Sequence, residues 1–550
     1  MPPGGGVWTH KLPSPEPGFP DKAQVPPLEL ADMFTCVSPG PNYIVKALPA
    51  DNNLNVENWE SYRHIVDQFD PHLIDCVKYG FPMGIDRKFE INVPVTNHKS
   101  AREHYRVIDE FIVKHHKTRA ILGPYQTNPF PVEAHPSPMQ VVFSSSGKAR
   151  PVVDMSYPRG HSVNDSIPRE WTEIPGFQGT FHLPTHDKIC AEILKVKDPL
   201  MFVTDLSSYF MQISSDICDA PYLCVTWRGA LWFIRRLPFG ARSACLHAQR
   251  VTEAVVSIFR NTTSYHVDGY IDDFCSIVRR VMALVACRKF GDLLETLGLD
   301  KTVEKCKLPA ELQIFLGLLY DLKNMVLELP PEKRDRCLAL INDWLDKECC
   351  SKSSLQSLIG VFNHVATVVH AARPLCSNML DMLRNDTFPA IVTPELREDL
   401  KQWADYLGSD FSRKCIIKSQ LVVTPDKDLK IAARGRNFIV YFKGARKGFT
   451  LSSSVPHIQF HLLFALAVWK ASVLHASALK GQVVAVYVPS KAAAGVINRA
   501  NTQVSRVRSA IREMWLIQAR NDCWIKAVHH PQGNNSVLFD EFVNMETVIV

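Results

Sequence analysis

Tyr270–Ile271–Asp272–Asp273–Phe274 is the stretch on which the reading of this chain turns. Apolar residues flank two adjacent carboxylates, the pattern of two short strands joined by a tight turn that carries the acids. Like charges side by side are costly unless a cation sits with them. Magnesium takes oxygen ligands and keeps room for substrate phosphates, so carboxylates on a turn suit it. The plainer alternative is an Asp-Asp hairpin turn, because Asp is favoured in turns in any case.

Upstream, Leu200 to Thr204 reads as a short apolar strand running into Asp205, and Leu206–Ser207–Ser208–Tyr209–Phe210 then leads into a turn of helix. A phosphoryl-transfer centre needs a third carboxylate, from another strand, to bridge two metals about 4 Å apart. Asp205 lies 67 residues before Asp272, enough chain for the intervening elements to return beside it. Asp205 could instead cap a helix. That explains one residue and not the set.

Around this centre the chain alternates strands and helices. Met139 to Phe143 and Pro151 to Met155 read as a hairpin around the turn Ser144–Ser145–Ser146–Gly147, with Lys148 and Arg150 on the returning arm. Tyr222 to Trp227 and Leu231 to Ile234 are two further strands separated by Arg228–Gly229, and Ala244 to Phe259 is helical. The mixture points to α+β. Beyond Pro330, Leu338, Ile341 and Leu345 fall on one helical face, and Leu355, Leu358, Ile359, Phe362 and Ala366 on another. A last α/β segment follows, with strands near Ile431, Phe438 to Phe442 and Val483 to Val488.

Composition removes several classes. At 550 residues the chain exceeds a single core, so two to four domains are expected. A net charge of +6 permits a nucleic-acid partner without demanding one. The fifteen cysteines are scattered with no CxxC pair, and no signal peptide is discernible, so reduced thiols in an intracellular protein are expected, with cytoplasm and nucleus equally open. Phe460 to Leu479 is apolar but broken by His461, Lys470 and His475, and reads as a buried helix; no membrane partner is expected. Residues 1–50 are rich in Pro and Gly and are expected to be a mostly disordered lead-in.

The ordered set Asp205 with Phe210, Leu237–Pro238–Phe239–Gly240 and Tyr270–Ile271–Asp272–Asp273 resembles the palm motifs of reverse transcriptases. Ser137–Pro138, Gly147–Lys148–Ala149–Arg150, Leu297–Gly298–Leu299, Glu304–Lys305–Cys306 and Phe315–Leu316–Gly317 extend the match. Ser156–Tyr157–Pro158–Arg159–Gly160 with Ser162–Val163–Asn164–Asp165 looks most like the DIRS-like, tyrosine-recombinase group of retrotransposons. The resemblance implies a right-hand polymerase of fingers, palm and thumb followed by an RNase H-like α/β domain. Its divisions would be an N-terminal helical extension over 51–130, fingers and palm over 131–325, a helical thumb or connection over 326–410, and the RNase H-like part over 421–550.

The resemblance also assigns roles. Asp205 and Asp272 would be direct ligands of two Mg2+ or Mn2+ ions, with Asp273 supporting them. Phe210 would reject a 2′-hydroxyl, so deoxynucleoside triphosphates would be the substrates, and an RNA-directed RNA polymerase is disfavoured. Phe239 and Gly240 would pass beneath the templating pair, Tyr270 would flank the site, and Lys148 and Arg150 would meet the triphosphate. Lys305 is a candidate proton donor to pyrophosphate, or equally a solvated surface lysine. The partners implied are an RNA or DNA template with its primer; oligomeric state is not readable. Departures are Ser144 and Ser145, where relatives carry Lys, and Tyr209, where they carry Ala.

The final segment departs further. The positions of the four RNase H acids fall at Ala433, Leu462, Pro489 and Asp540, and one carboxylate cannot hold two divalent ions. The fold is expected there without RNA cleavage. A different class of function stays open beside the polymerase: a domesticated or decayed copy that binds nucleic acid or a protein partner without catalysis.

Overall fold

The computed structural model describes residues 12–15, 18–20, 53–87, 95–130, 132–144, 147–177, 181–416, 429–434, 437–442, 445–450, 460–488, 490–500, 502, 504–529 and 547–549. The architecture is mixed helix and sheet, α+β as expected, and the chain divides into two compact units, Met1–Pro184 with Met201–Pro309, and Thr185–Leu200 with Ala310–Val550.

Strands of the first unit, two of which (β4 and β9) run across its boundary, are in chain order β1 (Ile121–Tyr125), β2 (Met139–Phe143), β3 (Ala149–Val153), β4 (Pro199–Asp205), β5 (Cys224–Trp227), β6 (Ala230–Ile234), β7 (Asp268–Tyr270), β8 (Asp273–Arg279) and β9 (Lys307–Ala310). They make three sheets: β1-β6-β5, the β2–β3 hairpin, and β7-β8-β4-β9. β4 is buried from Leu200 to Asp205, and an unbroken run of large side chains is what a strand covered on both faces requires. The long helix Ala244–Thr263 lies against this sheet with Leu246, Val251, Val255, Ile258 and Phe259 inward, and stops at Ser264 in the left-handed region. Helix Ala283–Leu297 packs on β8 through Phe290, which meets Phe202, Phe259 and Phe274. It ends at Gly298, φ 76°, where a Cβ would come within 2.5 Å of the Asn53 carbonyl; glycine is what lets residues 53–55 cross there.

The strand expected over Pro151 to Met155 is instead Ala149–Val153, and the one expected from Tyr222 starts at Cys224. In the second case Asp216 caps a 3-10 turn over Ile217–Tyr222, which uses the backbone the strand would need. From the lead-in, Arg228 holds the Pro13 carbonyl.

In the second unit β10 (Leu312–Phe315), β11 (Leu318–Asp321), β12 (Val326–Glu328) and the later β15 (Arg413–Cys415) form one antiparallel sheet. Between β12 and β15 lie helices Pro331–Asp346, Lys352–Val365, Ser377–Asn385 and Pro394–Leu407, with the two-residue ladder of β13 (Cys349–Cys350) and β14 (Ala390–Ile391). Ser351 and Thr393 cap their helices through the backbone N–H of Ser354 and Leu396, and Pro394 occupies a first-turn position where no N–H is missed. Leu355, Leu358, Ile359, Phe362 and Ala366 are all buried, as their spacing predicts. Helix 331–346 buries Cys337, Ile341 and Trp344 in place of the Leu338/Ile341/Leu345 face. Both sets satisfy the 3–4 spacing, and the face with the indole displaces the more apolar area.

The tail contains β16 (Leu429–Arg434), β17 (Asn437–Phe442) and β18 (Ala445–Thr450) as an antiparallel meander, then β19 (Val483–Val488) parallel to β20 (Trp524–His529), and β21 (Thr547–Ile549) parallel to β18. Helix Phe460–Leu479 is long and apolar enough to cross a membrane by length and composition, yet Leu462 through Val468 are buried against the sheet core that includes Phe438, Val440 and Val486. Helix Ser505–Arg520 fixes this segment to the preceding helices: Arg508 bonds Asn378 and Asp381, and Arg512 pairs with the fully buried Asp399. All cysteines among the described residues are free thiols.

Candidate active site

Sheet order explains how distant acids meet. β4 and β8 are neighbours, so the C-terminal end of β4 brings Asp205 to the turn between β7 and β8 that carries Asp272 and starts β8 at Asp273. The Leu206 N–H donates to the Asp272 carbonyl at 2.9 Å, and the Thr302 N–H to the Asp205 carbonyl at 2.8 Å, which pins both backbones. Asp205 is 7% exposed. Its carboxyl is close enough to those of Asp272 and Asp273 to raise both, so the three side chains converge.

The turn itself is strained. Ile271 has φ 54°, and a β-branched residue in the left-handed region costs on the order of 1–2 kcal/mol. Two side chains of helix 244–263 hold it there: the Gln249 carbonyl accepts from Ile271 N–H at 2.8 Å, and the Thr252 hydroxyl donates to the Ile271 carbonyl at 2.5 Å. Tyr209 joins the same network, its hydroxyl 3.0 Å from the Ala248 carbonyl and 2.9 Å from Thr252 Oγ1. The large side chain of Tyr209 is thus an anchor between the 3-10 turn that follows Asp205 and the turn of Asp272.

Electrostatics converge on the same point. Burial, then Asp272 and Asp205, push the Asp273 carboxyl up to about 7, and burial with Asp205 raises Asp272. Lys305, on a 3-10 turn over Val303–Lys305, sets its ammonium 2.8 and 3.0 Å from the Asp205 oxygens, and that hydrogen bond raises its own pKa. Although 63% exposed, Lys305 is therefore committed to the acid cluster and is not a freely solvated lysine. The positive field of Arg150 also reaches Asp272. Among the described residues no three carboxylate, imidazole or thiol groups close on one point as a ready-made ion cage. Two or three carboxylates still fit magnesium, which draws its remaining ligands from water and substrate phosphates, and a Lys ammonium on Asp205 marks where positive charge is favoured.

Phe210 is buried, with its ring 4.8 Å from that of Phe239, which is 47% exposed. Gly240 has φ 110°, and a Cβ there would lie 2.2 Å from the Val153 carbonyl, so only glycine lets the loop pass β3. Asn164 clamps that loop: its amide donates to the Gly240 carbonyl at 2.7 Å and to Ser156 Oγ at 2.9 Å, and its carbonyl accepts from Arg242 N–H at 2.7 Å. Tyr270 pairs with Asp273 across the hairpin. Lys148 and Arg150 are exposed on the β2–β3 hairpin. Ser144, in place of lysine, accepts from the Lys148 N–H and so closes the hairpin turn; Ser145 lies outside the described residues.

Sequence reasoning missed Gln249, Thr252 and the clamping role of Asn164. Gln249 and Thr252 stand one turn apart on a helix otherwise facing the core, a signal visible only once that helix is known to lie under the turn. In the tail, Ala433 pairs with Phe438 in the β16–β17 ladder and Leu462 is buried in the core, while Pro489 and Asp540 lie outside the described residues.

No protein-family model and no curated protein matches the sequence. Among solved structures it is similar to a foamy viral protease-reverse transcriptase in complex with double-stranded DNA, at 18% identity over 87% of this chain and 94% of that one, with a TM-score of 0.46. The dRH form of that protein with double-stranded DNA gives 16%, 90%, 84% and 0.46, and the complex with an RNA/DNA hybrid 16%, 93%, 66% and 0.46. Likeness at this level leaves the functional reading to the chain's own geometry.

Proposed function

We propose that this chain is an RNA-directed DNA polymerase that adds deoxynucleotides to a primer 3′-hydroxyl at the Asp205–Asp272–Asp273 cluster. The observation that carries it is the convergence of acids from two neighbouring strands on a turn held in a strained conformation by a dedicated network. Strain that neighbouring groups maintain is characteristic of functional sites. Two divalent cations, when bound, would activate the primer hydroxyl and neutralise the leaving pyrophosphate. Asp205 and Asp272 would hold them, with Asp273 supporting.

The chain's own residues supply the rest. Arg150 and Lys148 bring positive charge toward the triphosphate from the hairpin, and Arg can do so in bidentate fashion. Phe210, backed by Phe239, presents a ring where a 2′-hydroxyl would project. Lys305 is placed to neutralise Asp205 before substrate arrives and to give a proton to the leaving pyrophosphate afterwards. The RNase H-like reading of the tail carries no cleavage, since neither Ala433 nor Leu462 offers an oxygen ligand.

Primer extension on RNA and DNA templates with magnesium or manganese tests this beside Asp272→Asn. Extension by the parent that falls at least about 1000-fold in the variant is expected, the usual consequence of losing a group on which metal catalysis depends. Silence in both would favour binding without catalysis, the reading to which the absent tail acids also lend weight. For the tail we expect no metal-dependent cut in the RNA strand of a labelled RNA–DNA hybrid; cleavage that survives Asp272→Asn would overturn that assignment.

A further inference from the structure

Arg228 and Gly229 form the two-residue turn between β5 and β6, and both have positive φ, 50° and 75°. Asn-Gly fits such a turn at least cost, whereas a long side chain is strained there. Arginine stands at that place with every part of its head engaged. Nε and Nη2 fork onto the fully buried Asp109 at 2.8 and 2.5 Å, and the Trp227 indole completes that carboxylate at 2.8 Å. Asp109 is satisfied by those three bonds.

The remaining contacts of Arg228 go elsewhere in the chain. Nη1 donates to the Pro13 carbonyl at 2.7 Å, and the guanidinium lies between the rings of Phe19 and Tyr105, 5.4 and 5.7 Å from their centroids. Phe19 meets Trp232 edge-on at 5.5 Å. Leu12 lines a cavity of about 530 Å³ together with Asn97, Arg102, Ser137 and Thr226. A held carbonyl and, six residues on, an aromatic ring set against an indole and a guanidinium are the marks of a recognised peptide. Leu12-Pro13-Ser14-Pro15-Glu16-Pro17-Gly18-Phe19-Pro20 is proline-rich, and such chains lose little conformational freedom on docking.

We propose that the surface of Arg228, Trp232 and Tyr105 is a peptide-recognition site for a proline-rich segment with an aromatic anchor, occupied here by Pro13 and Phe19 of the chain itself. Tethering keeps the local concentration of that segment high, so a free peptide of the same sequence competes only when the tethered copy is weakened. Arg228→Ala would leave Asp109 buried without its cation, so the test is placed on Phe19 instead.

A fluorescein-labelled peptide of residues 11–21 is titrated into the full chain and into its Phe19→Ala variant, read by anisotropy. The variant is expected to bind the peptide saturably and at least about tenfold more tightly than the parent, whose site is already filled. A peptide carrying its own Phe19→Ala should bind the variant at least about tenfold more weakly than the unaltered peptide. Equal binding by parent and variant, no binding to either, or indifference to the peptide's Phe19 would overturn the site. Limited trypsin digestion supplies a second reading on the full chain. Cleavage after Lys11 and Lys22 should be at least about tenfold faster in Phe19→Ala than in the parent, and equal rates would overturn the seating of the segment.

Discussion

At the scale of single residues, Gly240 shows how little freedom the site has. Its backbone angle already disfavours any side chain, and the first carbon of one would run into the Val153 carbonyl, which cannot rotate away. Gly240→Ala should therefore cost roughly 3 kcal/mol, seen as a lower urea midpoint, and should reduce primer extension by displacing Phe239 from Phe210. A midpoint within the error of the parent's would show that β3 can yield. Gly240 was marked in the sequence only through the resemblance of Leu237 to Gly240 to a polymerase loop, and Asp205, Asp272 and Asp273 stood out as a set, since a hairpin turn or a helix cap accounts for each part of it alone. Thr252 and Gln249 did not stand out. A hydroxyl and an amide on a long helix are ordinary surface residues until the strained Ile271 they support is in view.

Elements position the site through loops that side chains tie down. Asn164 sits in a capped 3-10 turn, Ser162 closing a capping box with Asp165, and from that fixed base makes three bonds to Ser156 and the 237–242 loop. Asn164→Ala removes all three and leaves the Gly240 carbonyl and Arg242 N–H short of partners, a loss of about 2–3 kcal/mol. Because the clamp orients Phe239 and not the acids, the deficit in extension should fall mainly on the KM for deoxynucleotide, with kcat changed less. A kcat collapse at unchanged KM would place Asn164 in the chemistry itself. The helical part of the second unit was legible for a simple reason: apolar residues at 3–4 spacing over residues 355–366 admit one buried face. The neighbouring helix offered two faces of similar spacing, and packing around Trp344 chose between them. Strand ends were legible only to within two residues, since a capped 3-10 turn can claim backbone that an apolar pattern assigns to a strand.

Across the whole molecule, each unit keeps an imidazole out of water, and this sets how it answers acid. Burial, then the nearby Lys114, depresses His115 from 6.5 to about 4 in the first unit, where the ring is 6% exposed and packs on Phe111. Burial, then His364, brings His186 to about 4 in the second, beside the Tyr320 hydroxyl. A base with a lowered folded pKa binds fewer protons in the folded state than in the unfolded one between pH 4 and 6.5, so stability rises with pH across that window. The contribution is whole above pH 6.5 and drains away as pH falls toward 4. For His115 it amounts to roughly 3 kcal/mol. Raised carboxylates such as Asp219, pushed by burial and Asp216 up to about 7, act with the opposite sign in the same range, so the parent's own pH profile would hide both. The difference between parent and His115→Gln isolates the imidazole. Urea midpoints compared at each pH should show the variant at a constant deficit above pH 7 that closes, and then reverses, as pH falls to 4. A gap that keeps the same size from pH 8 to pH 4 would mean that the His115 ring takes up its proton in the folded chain as readily as in the unfolded one, and the burial of His115 on the helix Tyr105–Lys117 would be wrong.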